Sequence, residues 1–330
     1  MSTVLEEVRA ERWPLAGAFT IARGSRTEAE VVVVTVMDGE YSGRGEAVPY
    51  ARYGETTSGV MADIRNGCSS VEDLTRDALL TAMPAGAARN AIDCALLDLE
   101  AKRSGAPAAS LLEIPWLGEP MVTCFTISLA SPDDMAQAAR TARDKQLLKL
   151  KLGGGAVDAE RLLAVRAARP DARLVADANE SWSAADLEQL MAVCAEVKLE
   201  VLEQPLPAAA DAPLSRVKRL VPVCADEGAH TATDIARIAG RYDAVNIKLD
   251  KAGGITSAVG MADAARGAGL DVMVGCMVGT SLAMAPAWLL APWARWLDLD
   301  GPLLLAGDRS PAITYSRGGL MAPPPRELWG

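Results

Sequence analysis

The residues of this chain that could do chemistry are carboxylates and amines set into short apolar runs. In order they are Thr126, Lys149 and Lys151, Asp177 with Asn179, Glu203, Asp226 with Glu227, Lys248 with Asp250, Cys276, and Asp298 with Asp300. Successive positions lie 22 to 28 residues apart, enough for one strand and one crossover helix. Alternation along a strand puts i and i+2 on one face, so Lys149 points with Lys151 and Asp298 with Asp300. Asp177, Glu203 and Asp226 come from three consecutive runs. Three hard oxygen ligands without His or Cys suit one Mg2+ ion, with water or substrate oxygens filling its remaining positions. Lys151 lies one run before this triad and Lys248 one run after it. A metal between two amines fits removal of a proton next to a carboxylate: the ion stabilises the enediolate, one amine takes the proton, and the other returns one to the opposite face.

Composition narrows the alternatives. The 330 residues are 50% hydrophobic and 23% charged, the balance of a globular protein with a large core. Thirty-three Lys and Arg against 43 Asp and Glu leave a net charge of −10, which repels phosphate backbones and anionic lipids and argues against nucleic-acid or membrane partners. The N-terminal residues are acidic where a signal peptide needs a basic segment, and no run of about 18 apolar residues occurs, so a cytoplasmic location is expected. One histidine, His230, disfavours Ser/His/Asp sites and multi-His metal centres; capping or surface exposure is its expected role. Six dispersed cysteines without a C-x-x-C pair read as reduced thiols. Gly153-Gly154-Gly155 and Gly253-Gly254 continue into no nucleotide-binding pattern and read as turns.

The elements that must position these residues follow from periodicity. Runs at 121–129, 147–152, 173–178, 201–204, 223–226, 244–249, 270–276 and 296–300 read as eight strands, and 158–168, 183–193 and 256–268 as amphipathic helices between them. Ser183 and Asp186 have capping-box-like spacing. Eightfold alternation with crossover helices means parallel strands, and the closed solution is an α/β barrel of the (β/α)8 type, written (β/α)7β where the last strand lacks its helix. Barrel enzymes carry their chemistry at the C-terminal strand ends, where the polar residues above fall. The first 118 residues read as an α+β domain, with strands at 4–9, 16–23 and 30–37. An Asp38-Gly39 turn leads into 41–47, and a helix follows over 87–103 whose Ala91, Ile92, Ala95, Leu96 and Leu99 form one stripe. The expected division is 1–118, the barrel at 119–305, and a segment at 306–330 packing back on the first domain.

Lys149-Leu150-Lys151, Asp177-Ala178-Asn179, Leu202-Glu203-Gln204-Pro205, Ala225-Asp226-Glu227 and Asn246-Ile247-Lys248 together resemble the enolase superfamily, in its muconate-lactonizing subgroup, over nearly the whole chain. A Lys or His base with Mg2+ is a known pattern of that superfamily. Five such motifs in order at barrel spacing are specific where each alone is weak. Asp298-Leu299-Asp300-Gly301-Pro302 is similar to the dipeptide epimerases of the subgroup, as are Ile21-Ala22-Arg23-Gly24-Ser25, the 49–55 segment and Gly275-Cys276-Met277. The resemblance implies a capping domain at the N-terminus and inversion of the α-carbon of the C-terminal residue of a dipeptide such as L-Ala-D/L-Glu. It implies further that the Asp298/Asp300 pair receives the dipeptide ammonium and that Arg23, on a capping-domain loop, binds the glutamate side-chain carboxylate. A role in recycling cell-wall peptides follows from the resemblance alone. Lys149 is expected to orient the substrate carboxylate, Thr126, Cys276 and Arg52 to line the substrate, and Asn179, Asp250 and Glu227 to support the site by hydrogen bonds. Arg52 has a plainer reading, pairing with Glu55 or Glu46. Alternatives stay open: N-acylamino acid racemisation, o-succinylbenzoate synthesis or cycloisomerisation on the same frame, or a non-catalytic metal- or ligand-binding relative. Self-association is also left open.

Overall fold

A computed structural model describes residues 3–330. Its first three strands, β1 (Val4–Ile21), β2 (Gly24–Asp38) and β3 (Tyr41–Ala47), form an antiparallel sheet in the order β1-β2-β3. Residues 4–9 and 16–21, expected as parts of separate strands, belong to the single strand β1, while Ala22 and Arg23, expected in the second strand, form the turn after it. Pro14 does not end it because β1 is an edge strand, where a missing N–H is tolerated, and a register shift between Pro14 and Phe19 absorbs the irregularity. The β2–β3 turn is Gly39-Glu40, one residue later than expected, since Asp38 pairs with Tyr41. The β1–β2 turn is Ala22-Arg23, closed by Ile21 opposite Gly24, so Arg23 sits at the tip of a long hairpin.

Three helices back this sheet: α1 (Thr57–Ser69), α2 (Arg76–Ala82) and α3 (Ala87–Ser104). The stripe at 91, 92, 95, 96 and 99 packs with Val32, Val34 and Val36, while Val31 and Val33 join the main core. Burial on both faces explains the unbroken valine run. Sheet and helix touch closely because Gly43 and Gly45 have no side chain: a Cβ at Gly45 would lie 2.0 Å from the Ala91 carbonyl oxygen. A short helix α4 (Ala108–Leu111) leads to the barrel.

The barrel strands are β5 (Phe125–Ile127), β6 (Leu147–Lys151), β7 (Arg173–Asp177), β8 (Leu199–Glu203), β9 (Val223–Ala225), β10 (Ala244–Ile247), β11 (Asp271–Gly275) and β12 (Ala294–Asp298), all parallel and adjacent in sequence order. The Cys124 N–H donates to the Leu297 carbonyl at 2.8 Å, joining the first strand region to the last. Crossovers run through α5 (Pro132–Thr141), α6 (Val157–Ala168), α7 (Leu187–Glu196), α8 (Ile235–Ile238), α9 (Leu249–Ala252) with α10 (Ile255–Gly267), and α11 (Ser281–Trp288). Two units depart from the ideal repeat. β8 reaches β9 through 3-10 turns only, and β12 ends in a 3-10 turn over Gly301–Leu304. The 183–193 helix begins only at Leu187; Asp186 accepts from the Ser183 N–H and hydroxyl in the turn before it.

The barrel interior is layered. Cys124, Leu147, Val175, Val201, Cys224, Ala244, Met273 and Trp296, one per strand region, form a separate apolar cluster. Two residues further along each strand stand Thr126, Lys149, Asp177, Glu203, Asp226, Asn246, Gly275 and Asp298. Strand alternation thus sets a polar ring on an apolar floor.

The chain's end packs on both the start of the barrel and the first domain. Strand β13 (Leu320–Met321) pairs with β4 (Met121–Val122), and the Trp329 indole N–H donates to the Cys94 carbonyl at 3.1 Å. The six cysteines are unpaired, and no helix among the described residues is long and apolar enough to cross a membrane.

Candidate active site

Each ring residue takes its position from a strand end whose lower neighbour is locked in the floor. Asp177, Glu203 and Asp226 are buried and offer carboxylate oxygens within 4.8 Å of one another. Lysines surround them: Lys151 Nζ lies 2.6 Å from Asp177 Oδ2, Lys248 Nζ 2.7 Å from Asp226 Oδ2, and Lys149 Nζ 2.5 Å from Glu203 Oε2. Burial opposes ionisation of all three acids. Lys151 and Lys149 nonetheless hold Asp177 below the usual carboxylate range, and Lys248 and Lys251 hold Asp226 well below it. Glu203 is pushed up by its burial and by the charge of Asp177. Although close to Lys149, its Oε2 makes no well-aligned hydrogen bond. A buried trio of carboxylate oxygens, one of them without an aligned hydrogen bond, fits a divalent cation.

Lys149 does not reach freely into the cavity. Its Nζ is also 2.6 Å from Asp298 Oδ2 and 3.8 Å from Asp177 Oδ2; burial disfavours the ammonium, but these carboxylates outweigh it and hold its pKa well above the ordinary value. Asp300 accepts the Thr126 backbone N–H at 2.6 Å and is pushed up to about 6 by burial and by the charge of Asp298. Cys276 lines the same cleft as Thr126, Asp298 and Asp300, its thiol pushed well up by burial.

This cleft, of about 30 Å3, adjoins a cavity of about 430 Å3 beneath the hairpin tip, where Phe19, Arg23, Lys151 and Lys248 face one another. Arg23 Nη2 lies 2.6 Å from Glu227 Oε1 and 2.9 Å from the Tyr50 hydroxyl, and Nη1 donates to the Asn179 carbonyl at 3.0 Å. Burial and the charges of Asp226 and Asp177 raise Glu227 to about 7 despite Lys248 and Arg23.

One expected support is in place, and several other expectations are corrected. Asn179 supports the triad, its N–H and Nδ2 donating to Asp177 at 2.8 and 2.9 Å. Asp250 does not face the site: it accepts the Val48 N–H and Asn90 Nδ2 and so ties the barrel to the first domain, because α9 turns it away from the mouth. Arg52 pairs with neither Glu55 nor Glu46 but with Glu180, at 2.8 and 2.9 Å, since Glu55 caps the Tyr50 and Ala87 N–H groups and Glu46 faces Arg309. His230 is neither a cap nor free in solvent; its ring packs edge-on against Tyr53, with centroids 4.5 Å apart.

Sequence reasoning missed three supporting residues. Asn246 Nδ2 donates to Glu203 Oε1 at 2.6 Å, and the i+2 rule from Lys248 could have found it. A Cβ at Gly275 would strike the Asn246 amide at 2.4 Å, which accounts for glycine in the ring. Gln204 Oε1 accepts the Asp226 and Gly228 N–H groups at 2.9 Å each. Lys251 Nζ is buried against Asp226 Oδ1, Asp226 O, Ala229 O and Asn246 O at 2.5 to 3.0 Å, and no sequence signal separates it from a solvated lysine.

Comparison with known proteins agrees with this geometry. The chain is 46% identical to the L-Ala-D/L-Glu epimerase of Escherichia coli (strain K12), over 95% of its own length and 98% of that protein. It is 42% identical to the N-acetyl-D-glutamate racemase of a Pseudoalteromonas species, over 91% and 95%. Among solved structures, an enolase family member from Agrobacterium tumefaciens with homology to dipeptide epimerases, holding sodium and L-Ala-L-Glu with an ordered loop, superposes with a TM-score of 0.96 at 50% identity and covers 99% of this chain and 100% of its own. Family profiles match residues 4–113 as the mandelate racemase/muconate lactonizing enzyme N-terminal domain and residues 134–304 as the enolase C-terminal domain-like fold. The chain therefore belongs to the mandelate racemase/muconate lactonizing enzyme family of the enolase superfamily.

Proposed function

We propose that this chain is a Mg2+-dependent dipeptide epimerase that inverts the α-carbon of the C-terminal residue of an L-Ala-D/L-Glu-type dipeptide. The observation that carries this reading is a pair of buried lysines, Lys151 on the second barrel strand and Lys248 at the end of the sixth, facing each other across three carboxylates. Asp177, Glu203 and Asp226 would hold one Mg2+, whose positive charge would stabilise the substrate carboxylate as its α-proton leaves and would offset the pull of these acids on both ammoniums. The chain's own groups do the rest. One lysine Nζ takes the α-proton and the other delivers a proton to the opposite face, which inverts the carbon. Lys149, held between Asp298 and Glu203, is a fixed charge beside the substrate carboxylate. Asp298 and Asp300 receive the dipeptide ammonium in the small cleft lined by Thr126 and Cys276, and Arg23 binds the glutamate side chain, with Arg52 at the same mouth. Asn179 and Glu227 support the site by hydrogen bonds. Unpaired cysteines suit a reducing, cytoplasmic setting, and recycling of cell-wall peptides would use this reaction.

A second reading, racemisation of an N-acylated glutamate, is favoured by the similarity to the N-acetyl-D-glutamate racemase. Two carboxylates at the cleft favour a cation there over a neutral acyl group. The protein should be incubated with Mg2+ and either L-Ala-L-Glu or N-acetylglutamate in deuterated water, reading α-proton exchange by mass spectrometry and then chirality. Exchange at the C-terminal residue of the dipeptide, abolished by chelator, is expected. Silence with dipeptides and exchange with the N-acetyl compound would replace this reading with the second.

A further inference from the structure

We propose that Glu180 is a positioning residue that sets this site's preference for an anionic substrate side chain by clamping, from the barrel, both guanidiniums that the capping domain hangs over the cavity. The inference rests on the functional reading above. Glu180 Oε1 accepts from Arg52 Nη2 and from the Ala208 N–H, each at 2.9 Å, while Oε2 accepts from Arg52 Nε at 2.8 Å and Arg23 Nη1 at 3.4 Å. Its side chain is 9% exposed, whereas that of Arg52 is 41% exposed. Asn179 and Glu180 both have left-handed backbones, with φ of +46° and +66°, a region that L residues enter at a cost. The loop is held there by Asp177 on one side and by the Glu180 N–H to the Gln204 carbonyl at 2.9 Å on the other. A solvated surface pair needs no such backbone; a carboxylate fixed at one point does.

Arg23 shows what the clamp is for. Both its Nη groups are engaged, Nη1 by the Asn179 carbonyl and Glu180, Nη2 by Tyr50 and Glu227, and Nε has no partner among the described residues. A substrate carboxylate can take the Nε/Nη2 edge by displacing Glu227 while Glu180 keeps Nη1, so the guanidinium arrives already oriented. Between Arg23 and Arg52, Glu180 also cancels a like-charge repulsion that would lift the hairpin tip.

The test uses Glu180→Gln, which keeps an acceptor for the Ala208 N–H but loses the charge. Without any substrate, trypsin should cut the Arg23–Gly24 and Arg52–Tyr53 bonds several times faster in the variant than in the parent at equal melting temperature. With Mg2+, KM for L-Ala-L-Glu should rise about tenfold, with kcat within about threefold and KM for an Ala dipeptide with an apolar C-terminal residue little changed; Glu180→Asp should recover part of the loss. Unchanged tryptic protection, or a loss shared equally by acidic and apolar dipeptides, would overturn the proposal. If the parent turns over no dipeptide at all, the functional reading fails and the proteolysis result alone decides whether Glu180 holds the arginines.

Discussion

The barrel mouth and the capping hairpin face the same cavity but hold their charges in different ways. At the mouth the ammoniums are buried and neutralised by carboxylates on neighbouring strands, with the Lys149 and Lys248 side chains 2% and 8% exposed. On the capping domain, Arg23 and Arg52 are 27% and 41% exposed and depend on partners contributed by the barrel. Groups that must hold a proton or a metal are fixed by strands, whereas the groups set to recognise a variable side chain sit on turns, Arg23 at the hairpin tip and Arg52 in the 3-10 turn after β3. The contrast predicts that changes at the mouth strike turnover and changes on the hairpin strike affinity.

The largest effect should come from Lys248→Ala. Loss of one proton carrier lowers kcat by about 10² to 10⁴, and retention of near-parental exchange by this variant would refute the two-lysine scheme. Arg23→Gln should raise KM for L-Ala-L-Glu about 10- to 100-fold and leave kcat nearly intact; steady-state kinetics with acidic and apolar dipeptides separates the two. A drop in kcat as large as that of Lys248→Ala would erase the distinction between mouth and hairpin. Metal should act on the mouth alone. Mg2+ at about 100 times its Kd should stabilise the fold by about 2.7 kcal/mol, seen as a melting shift that Asp226→Asn abolishes and Arg23→Gln keeps.

The smallest effect concerns the seam between the regions. Asp250, bonded to Val48 and Asn90 of the capping domain, is raised to about 7 by burial, with Glu55 and Glu46 adding to it. A raised folded value means that its contribution to stability is fully present below the unfolded value near 3.8 and is lost as pH rises through about 7. Asp250→Asn, neutral throughout, should flatten the fall in denaturant midpoint between pH 5 and pH 8. An unchanged slope would place the titration elsewhere.

Most of the mouth was legible in the sequence because a strand has a period of two and a barrel repeats at one unit per strand. Asp177, Glu203, Asp226 and Lys149 each stand two residues after an apolar residue of the barrel floor, and Lys151 and Lys248 two residues after Lys149 and Asn246 of the polar ring, so their direction came with their position. Asn246 obeys the same rule, two residues after Ala244, but an amide has no charge to mark it as a partner of the acids. The seam was not legible. Asp250 and Lys251 are neighbours on one short helix, yet one bonds to the capping domain and the other to Asp226. A single turn of helix sends adjacent side chains in different directions, and nothing local says what awaits each.

The sequence by itself determined the layered barrel, the acid triad between two lysines and the domain in front, since these follow from periodicity and residue chemistry within each unit. Only the tertiary structure decided which carboxylate neutralises which amine, that β1 runs unbroken past Pro14, and that Glu180 meets Arg52 across 128 residues. Those outcomes depend on which strands and surfaces the fold brings side by side, and a charged side chain of several rotatable bonds settles on whichever partner lies within reach.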